Sequence, residues 1–173
     1  MANPKSSHEV WSARVREVFK GLAIQDVSQF EATGSNRAIQ IFVSRESFSE
    51  ALSQLRRSSN ELGLSFFEDL FAMEFQGGLL VTAKWTDTSQ FGRSLWLRVV
   101  LPVTGTGELT ELPSLAQFWP AAIGSELEIE VLFGIQFLNR PDFGSDFSLD
   151  HDHDHFGFPM RRLGSSTEKA EQQ

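Results

Sequence analysis

The sequence predicts an α+β fold: a mostly antiparallel four-stranded sheet, amphipathic helices packed on one of its faces, and an extended C-terminal arm. Apolar residues recur at helical spacing in two early stretches. Between residues 64 and 101 the period switches to two, with turn residues separating three consecutive runs. After Phe137 all periodicity is lost and the chain turns acidic.

Residues 1–7 read as a flexible arm. Ser6 and Glu9 form a capping-box pair, in which each side chain satisfies a backbone N–H that the first helical turn leaves unpaired. Val10, Trp11, Val15, Val18, Phe19 and Leu22 follow at helical spacing, and Gly21 is the stop. After a polar turn around residues 34–36, Ile39, Ile41 and Val43 share one face of a strand over 38–43. Ser44 caps a second helix with the stripe Phe48, Leu52, Leu55 and Leu62. Gly63 ends it, and Arg56, Arg57 and Glu61 fall on its solvated side. Phe66 to Phe75 is an aromatic-rich strand, followed by a tight hairpin at Gln76-Gly77-Gly78. Leu79, Val81, Ala83 and Trp85 alternate with Leu80, Thr82 and Lys84 as in a half-buried strand. Leu95, Leu97, Val99 and Leu101 repeat the pattern after a polar connection. Gly105, Gly107 and Pro113 mark a loop. The division is then an α+β domain over 8–137, an extended docking arm over 138–163 and a disordered tail over 164–173.

With 173 residues the chain can build one core without disulfides or metals. It has no cysteine, which removes disulfide frameworks and thiolate ligation of zinc or iron–sulfur clusters. The net charge of −8 argues against a nucleic-acid groove, which needs a dense basic patch. No apolar run approaches the roughly 20 residues that cross a bilayer. The polar N-terminus carries no secretory signal. The reading is a soluble, intracellular protein that reaches a membrane only through partners.

The densest run of ligand-type residues is Asp150-His151-Asp152-His153-Asp154-His155. Histidine with carboxylate is an ordinary ligand set for divalent ions. In an extended segment, however, His151, His153 and His155 stand about 6.5–7 Å apart. Ligand atoms on one tetrahedral ion must lie roughly 3.3 Å apart. A solvated polar loop is the simpler reading, with a free-standing metal-binding or regulatory role as the alternative. Their imidazoles titrate near neutrality.

From Leu112 to Phe137 the sequence reads LPSLAQFWPAAIGSELEIEVLFGIQF. Ser125 with Glu128 makes a further capping box, and Gly134 supplies a left-handed helix stop. Glu126, Glu128 and Glu130 fall in the first turns, where the helix dipole favours anions. Only Glu126 and Glu130 share a side, and no nucleophile or histidine accompanies them. Capping and surface charge is one reading; pairing with a partner's arginine or lysine is the other. Asp69 and Glu74 interrupt the aromatic strand, as an edge strand or a turn allows. No phosphate loop, GxGxxG or GxSxG is present. Further on, Pro159 keeps Gly157-Phe158-Pro159-Met160-Arg161-Arg162 extended, presenting aromatic and arginine anchors of the kind interface cores favour.

The order Leu112-Pro113-Ser114, Phe118-Trp119-Pro120-Ala121-Ala122, Glu126-x-Glu128 and Phe133-Gly134-Ile135 resembles the signature of the 30 kDa-type subunit of respiratory complex I, the NADH:quinone oxidoreductase. Relatives of that subunit also occur in membrane-bound hydrogenase and formate hydrogenlyase complexes. The likeness runs from about residue 38 to 137 and more faintly to 162. It includes the strand with Asp69 in its middle and a basic residue at Arg98. Where the family carries an arginine between the two glutamates this chain has Leu127. Its aspartate before Phe-Gly is replaced around Val131-Leu132, and the histidine of its Gly-His-Pro by Phe158.

The resemblance implies a non-catalytic peripheral-arm subunit, with no catalytic residue and no flavin, cluster, metal or quinone bound by this chain. FMN and iron–sulfur clusters are expected in other subunits. The implied partners are a hydrogenase-large-subunit-like protein and neighbouring iron–sulfur subunits, on the cytoplasmic side of the inner membrane. The residues expected at partner contacts are Trp119, Pro120, Glu126, Glu128, Phe133, Gly134, Phe158, Pro159, Arg161 and Arg162.

Overall fold

The structure is a computed structural model that describes residues 7–31, 37–75, 77–88, 93–102, 110–142 and 158–160. Several expectations lie outside those residues. They are the arm at 1–6 with the Ser6 cap, the 34–36 turn, Gln76, and the 103–109 loop with Gly105 and Gly107. His151, His153, His155, Arg161, Arg162 and the 164–173 tail lie outside as well.

The first helix, α1, spans Ser7–Val18. Trp11, Val15 and Phe19 are buried as its stripe requires, whereas Val10 remains 42% exposed. The helix α2 spans Arg45–Leu62, and Ser44 caps it by accepting from the Ser47 N–H at 3.3 Å. Its stripe Phe48, Leu52, Leu55 and Leu62 is buried, and Arg56, Arg57 and Glu61 are exposed. Gly63 ends α2 in the left-handed conformation, φ 72°. A side chain there would be strained and would also collide with the Asp87 carboxylate. The Trp11 indole N–H donates to the Leu62 carbonyl at 2.9 Å, tying α1 to the end of α2.

The main sheet contains β1 (Ile24–Glu31), β2 (Arg37–Val43), β3 (Phe66–Phe75), β4 (Gly78–Thr86) and β5 (Arg93–Pro102), in the order β1-β2-β5-β4-β3. It is mostly antiparallel, but β2 and β5 run parallel, with Ile39 opposite Leu95 and Val43 opposite Val99. The sheet thus has five strands where the sequence predicts four. The missed strand is β1. Its apolar residues, Ile24, Val27 and Phe30, stand three apart in a mostly polar strand, and a register shift between Ile24 and Asp26 interrupts its start, so no period of two is visible there. β3 lies at an edge, one of the two placements that Asp69 and Glu74 allow. On β5, Leu95, Leu97, Val99 and Leu101 are fully buried. The half-buried expectation fails for β4, where Leu80 and Thr82 are buried along with Leu79, Val81, Ala83 and Trp85: both faces are sequestered.

A second, two-stranded sheet pairs β6 (Thr110–Pro113) with β7 (Ile135–Leu138) in parallel. Between them run a 3₁₀ turn (Pro120–Ala122) and α3 (Ile123–Phe133), the crossover that parallel strands need. By packing, the chain divides into two compact units, residues 1–69 with 82–99 and residues 70–81 with 100–173. In the first unit, α1 packs on α2, and α2 on the Ile39, Ile41 and Val43 strand. Phe67 meets Trp85 edge-to-face at 5.7 Å. The second unit carries the Trp corner. No helix among the described residues is long and apolar enough to cross a membrane.

Candidate functional site

The corner begins where β6 ends. The Ser114 N–H donates to the Leu138 carbonyl at 2.9 Å, extending the β6–β7 pairing by one bond. The chain then folds back, with the Phe118 and Trp119 N–H groups both donating to the Leu115 carbonyl at 2.9 Å. Pro120 opens the 3₁₀ turn, a position where its missing N–H costs nothing. The turn feeds directly into α3, so Ala122 stands at the N-cap position and makes no side-chain cap bond. Ser125 therefore lies inside the helix, and the Ser125–Glu128 capping box is not formed. The preceding turn extends the helix backwards past the position a serine cap would need.

What replaces the capping box is a buried carboxylate. Glu126 is completely inaccessible. Its Oε1 accepts from the Leu115 N–H at 2.6 Å and the Ala116 N–H at 3.1 Å. Ser114 Oγ lies 3.1 Å from Oε1 and 2.9 Å from Oε2. The same hydroxyl accepts from the Ala116 N–H at 3.1 Å. A tight turn has backbone N–H groups aimed inward with no strand to receive them, and Glu126 supplies the acceptor. Burial raises its pKa, against the opposing hydrogen bonds from Ser114, Ala116 and Leu115 and the charge of Arg140.

One turn later, Glu130 faces β7. Its Oε1 accepts from the Phe137 N–H at 3.1 Å, and its Oε2 pairs with the Arg140 guanidinium at 2.8 Å. The i, i+4 spacing puts both carboxylates on one side of α3, as the sequence indicates, but that side looks into the unit. Gly134 ends α3 with φ 63° and donates to the Glu130 carbonyl at 2.9 Å. The Phe158 ring lies directly over Gly134, where any Cβ would overlap it. Two residues on, the Met160 N–H donates to the Leu132 carbonyl at 3.1 Å. The segment 158–160 is thus seated on the C-terminal end of α3.

Of the residues expected at partner contacts, Trp119, Glu126, Phe133 and Gly134 are buried within this unit. Trp119 packs edge-to-face on Phe118 at 5.8 Å. These four hold the corner's shape from inside; with almost no accessible surface, they have little to offer a partner directly. Pro120, Glu128 and Pro159 are exposed, and Phe158 is half-buried on its glycine seat. The roles of Ser114 and Arg140 are not legible in the sequence. Ser114 acts on a carboxylate 12 residues away, a distance at which no local pattern operates.

On the first unit, Arg98 lies 4.9 Å from the Trp96 ring centre and 5.6 Å from that of Phe42. Lys84 also approaches Trp96, at 5.5 Å, and pairs with Glu68, which accepts from Thr86 as well. Arg98 is thus on a half-buried aromatic sheet face. Among the described residues no group of three His, Cys, Asp or Glu side chains could hold a metal ion.

Residues 41–169 match the family described as respiratory-chain NADH dehydrogenase, 30 kDa subunit. Among solved structures, the chain is similar to a trypsin-resistant fragment of Nqo5, at 20% identity and a TM-score of 0.54, over 78% of this chain and 98% of that one. It is also similar to a chain of the membrane-bound sulfane sulfur reductase, an archaeal respiratory membrane complex. That likeness has 13% identity and a TM-score of 0.65, over 94% of this chain and 88% of that one. At these identities the two likenesses show a shared fold. No curated protein sequence matches significantly.

Proposed function

This chain belongs to the 30 kDa subunit family of respiratory-chain NADH dehydrogenase, and from that premise we propose that it is a non-catalytic peripheral-arm subunit of a proton-translocating NADH:quinone oxidoreductase. In this reading it docks on the large hydrogenase-like subunit and scaffolds the quinone-reducing module. FMN and the iron–sulfur clusters reside in other subunits, and the chain sits on the cytoplasmic side, held to the membrane through its partners.

The observation that carries the reading is the commitment of Glu126. A general acid or base needs a free lone pair and a path to substrate. The buried carboxylate of the family motif instead has its oxygens turned onto Ser114, Leu115 and Ala116 and no exposed surface. Such a group holds backbone in place. The product of that rigidity is a shaped corner, which is what a docking subunit needs, since preorganised surfaces lose less entropy on association.

A second reading is the equivalent subunit of a complex with a different redox partner, such as a membrane-bound hydrogenase or formate hydrogenlyase. The likeness to the sulfane sulfur reductase chain over 94% of this sequence favours it. Affinity purification of the tagged chain from detergent-solubilised membranes, with mass identification of co-eluting chains, tests both. Flavin- and NADH-binding subunits in the eluate support the first reading. A large subunit with nickel-site cysteines and no NADH-binding chain supports the second. Recovery of the chain alone, at full yield, removes both.

A further inference from the structure

We propose that Glu130 is the centre of a clasp, at the last turn of α3, that holds the chain both where it leaves β7 and where it returns at Phe158, and that a neighbouring subunit docks tightly only while this clasp is closed. Glu130 and Arg140 are then positioning residues for docking. The proposal rests on the subunit reading above and adds the device that readies this chain for its partner.

The last turn of α3 grips the chain twice. On the departure side, the Glu130 carboxylate takes the Phe137 N–H on Oε1 at 3.1 Å and the Arg140 guanidinium on Oε2 at 2.8 Å. These two bonds straddle a sharp turn at Asn139, whose φ of 58° makes it the only non-glycine residue with a positive φ among the described residues. That conformation is disfavoured for an L residue, asparagine least of all, and it persists where the surroundings over-determine it. The ion pair does so here. Asn139 turns the chain back toward α3, and the Arg140 and Glu130 side chains, 24% and 21% exposed, close the turn largely out of water. On the return side, the Phe158 ring lies over Gly134 and the Met160 N–H donates to the Leu132 carbonyl at 3.1 Å.

Glu130 joins the two sides. Its carboxylate holds the departure, and its carbonyl accepts from the Gly134 N–H at 2.9 Å, the bond that fixes the glycine under Phe158. Loss of the side-chain ties lets the last turn of the helix fray, and the seat of Phe158 loosens with it. Ending the helix does not require the ion pair, because a left-handed glycine is sufficient for that. What the pair adds is direction: the chain leaves and returns at one place on α3. A partner that docks there meets both ends of the arm already ordered, and association loses less entropy.

The test recovers the tagged chain from detergent-solubilised membranes and quantifies its co-eluting chains for wild type, Arg140→Met, Arg140→Lys and Glu130→Gln. Arg140→Met keeps an aliphatic stem and removes the ion pair. It should lower partner recovery by about ten-fold, the order expected when roughly one residue must be re-ordered at binding, and speed exchange of the Met160 amide in the isolated chain. Arg140→Lys keeps a cation opposite Glu130 and should stay within about three-fold of wild type. Glu130→Gln keeps an acceptor for the Phe137 N–H and loses only the charge, so its recovery should fall between these two; it decides the matter if the melting curve shows Arg140→Met unfolded. Full recovery with folded Arg140→Met, or with Glu130→Gln, would remove the clasp from docking while the subunit reading stands. Equal losses with Arg140→Lys and Arg140→Met would make the guanidinium itself a partner contact and overturn its positioning role. An unchanged Met160 exchange rate in folded Arg140→Met would show that the two ends are held separately, and the single clasp would be wrong. Should wild type itself recover no partner, the subunit reading falls and the docking role of the clasp with it.

Discussion

Replacing Glu126 by alanine isolates the interaction on which the corner depends. The substitution leaves the Leu115 N–H buried without its 2.6 Å acceptor, while the Ala116 N–H keeps Ser114 Oγ at 3.1 Å. One orphaned buried donor costs about 1–3 kcal/mol, and the lost charge-assisted bond from Ser114 adds about 1 kcal/mol or more. The cavity left by the truncated side chain adds further to the loss. Against this, alanine removes a buried carboxylate whose raised pKa shows that burial disfavours its charged form. The balance is a destabilisation of about 3 kcal/mol, equivalent to a drop of roughly 6–12 °C in melting temperature for a chain of this size. Glu126→Gln should lose much less, about 1 kcal/mol, because its amide oxygen can still accept from the backbone and Ser114 can rotate to accept from its NH₂. Thermal and urea unfolding of the three proteins at neutral pH measure both differences. If Glu126→Ala melts within about 2 °C of wild type, a shift of about 1 kcal/mol or less, the carboxylate does not hold the corner, and its part in shaping a docking surface falls with it.

Gly134→Ala combines a left-handed φ of 63° with a Cβ that overlaps the Phe158 ring. It should destabilise by about 2 kcal/mol and raise the hydrogen-exchange rate of the Met160 amide, which donates to Leu132 only while the segment is seated. An unchanged Met160 exchange rate would show that Phe158 does not anchor that segment. The pH dependence of Glu126 supplies a second check. Its folded-state pKa lies above the ordinary 4.5, so in the window between the two values the folded protein binds more protons than the unfolded chain. Its contribution to stability therefore grows as pH falls through that window and shrinks as pH rises. The stability of wild type relative to Glu126→Gln should accordingly be greater near pH 4.5 than at neutral pH, other groups cancelling in the difference. The opposite slope would mean that the hydrogen bonds outweigh burial.

Much of this protein is local in origin and so readable from its residues. Ser44 and Gly63 bound α2 through bonds that span a few positions, and the stripe Phe48, Leu52, Leu55 and Leu62 needs only helical periodicity. Gly134 ends α3 for the same short-range reason, and the motif around Trp119 is sufficient to point to the family. Pairing across distance is not readable. The parallel alignment of β2 with β5 brings together residues 56 positions apart, and no turn chemistry encodes it. β1 is hidden in the sequence because it is mostly polar and its apolar residues, Ile24, Val27 and Phe30, stand three apart instead of alternating. Glu126 is the sharpest case. Its neighbours in sequence make it look like a capping or surface charge, since carboxylates near a helix start are favoured there. Only the folded chain brings the inward-pointing N–H groups of Leu115 and Ala116 within reach and removes water from around them, which turns an ordinary helix glutamate into an interior strut.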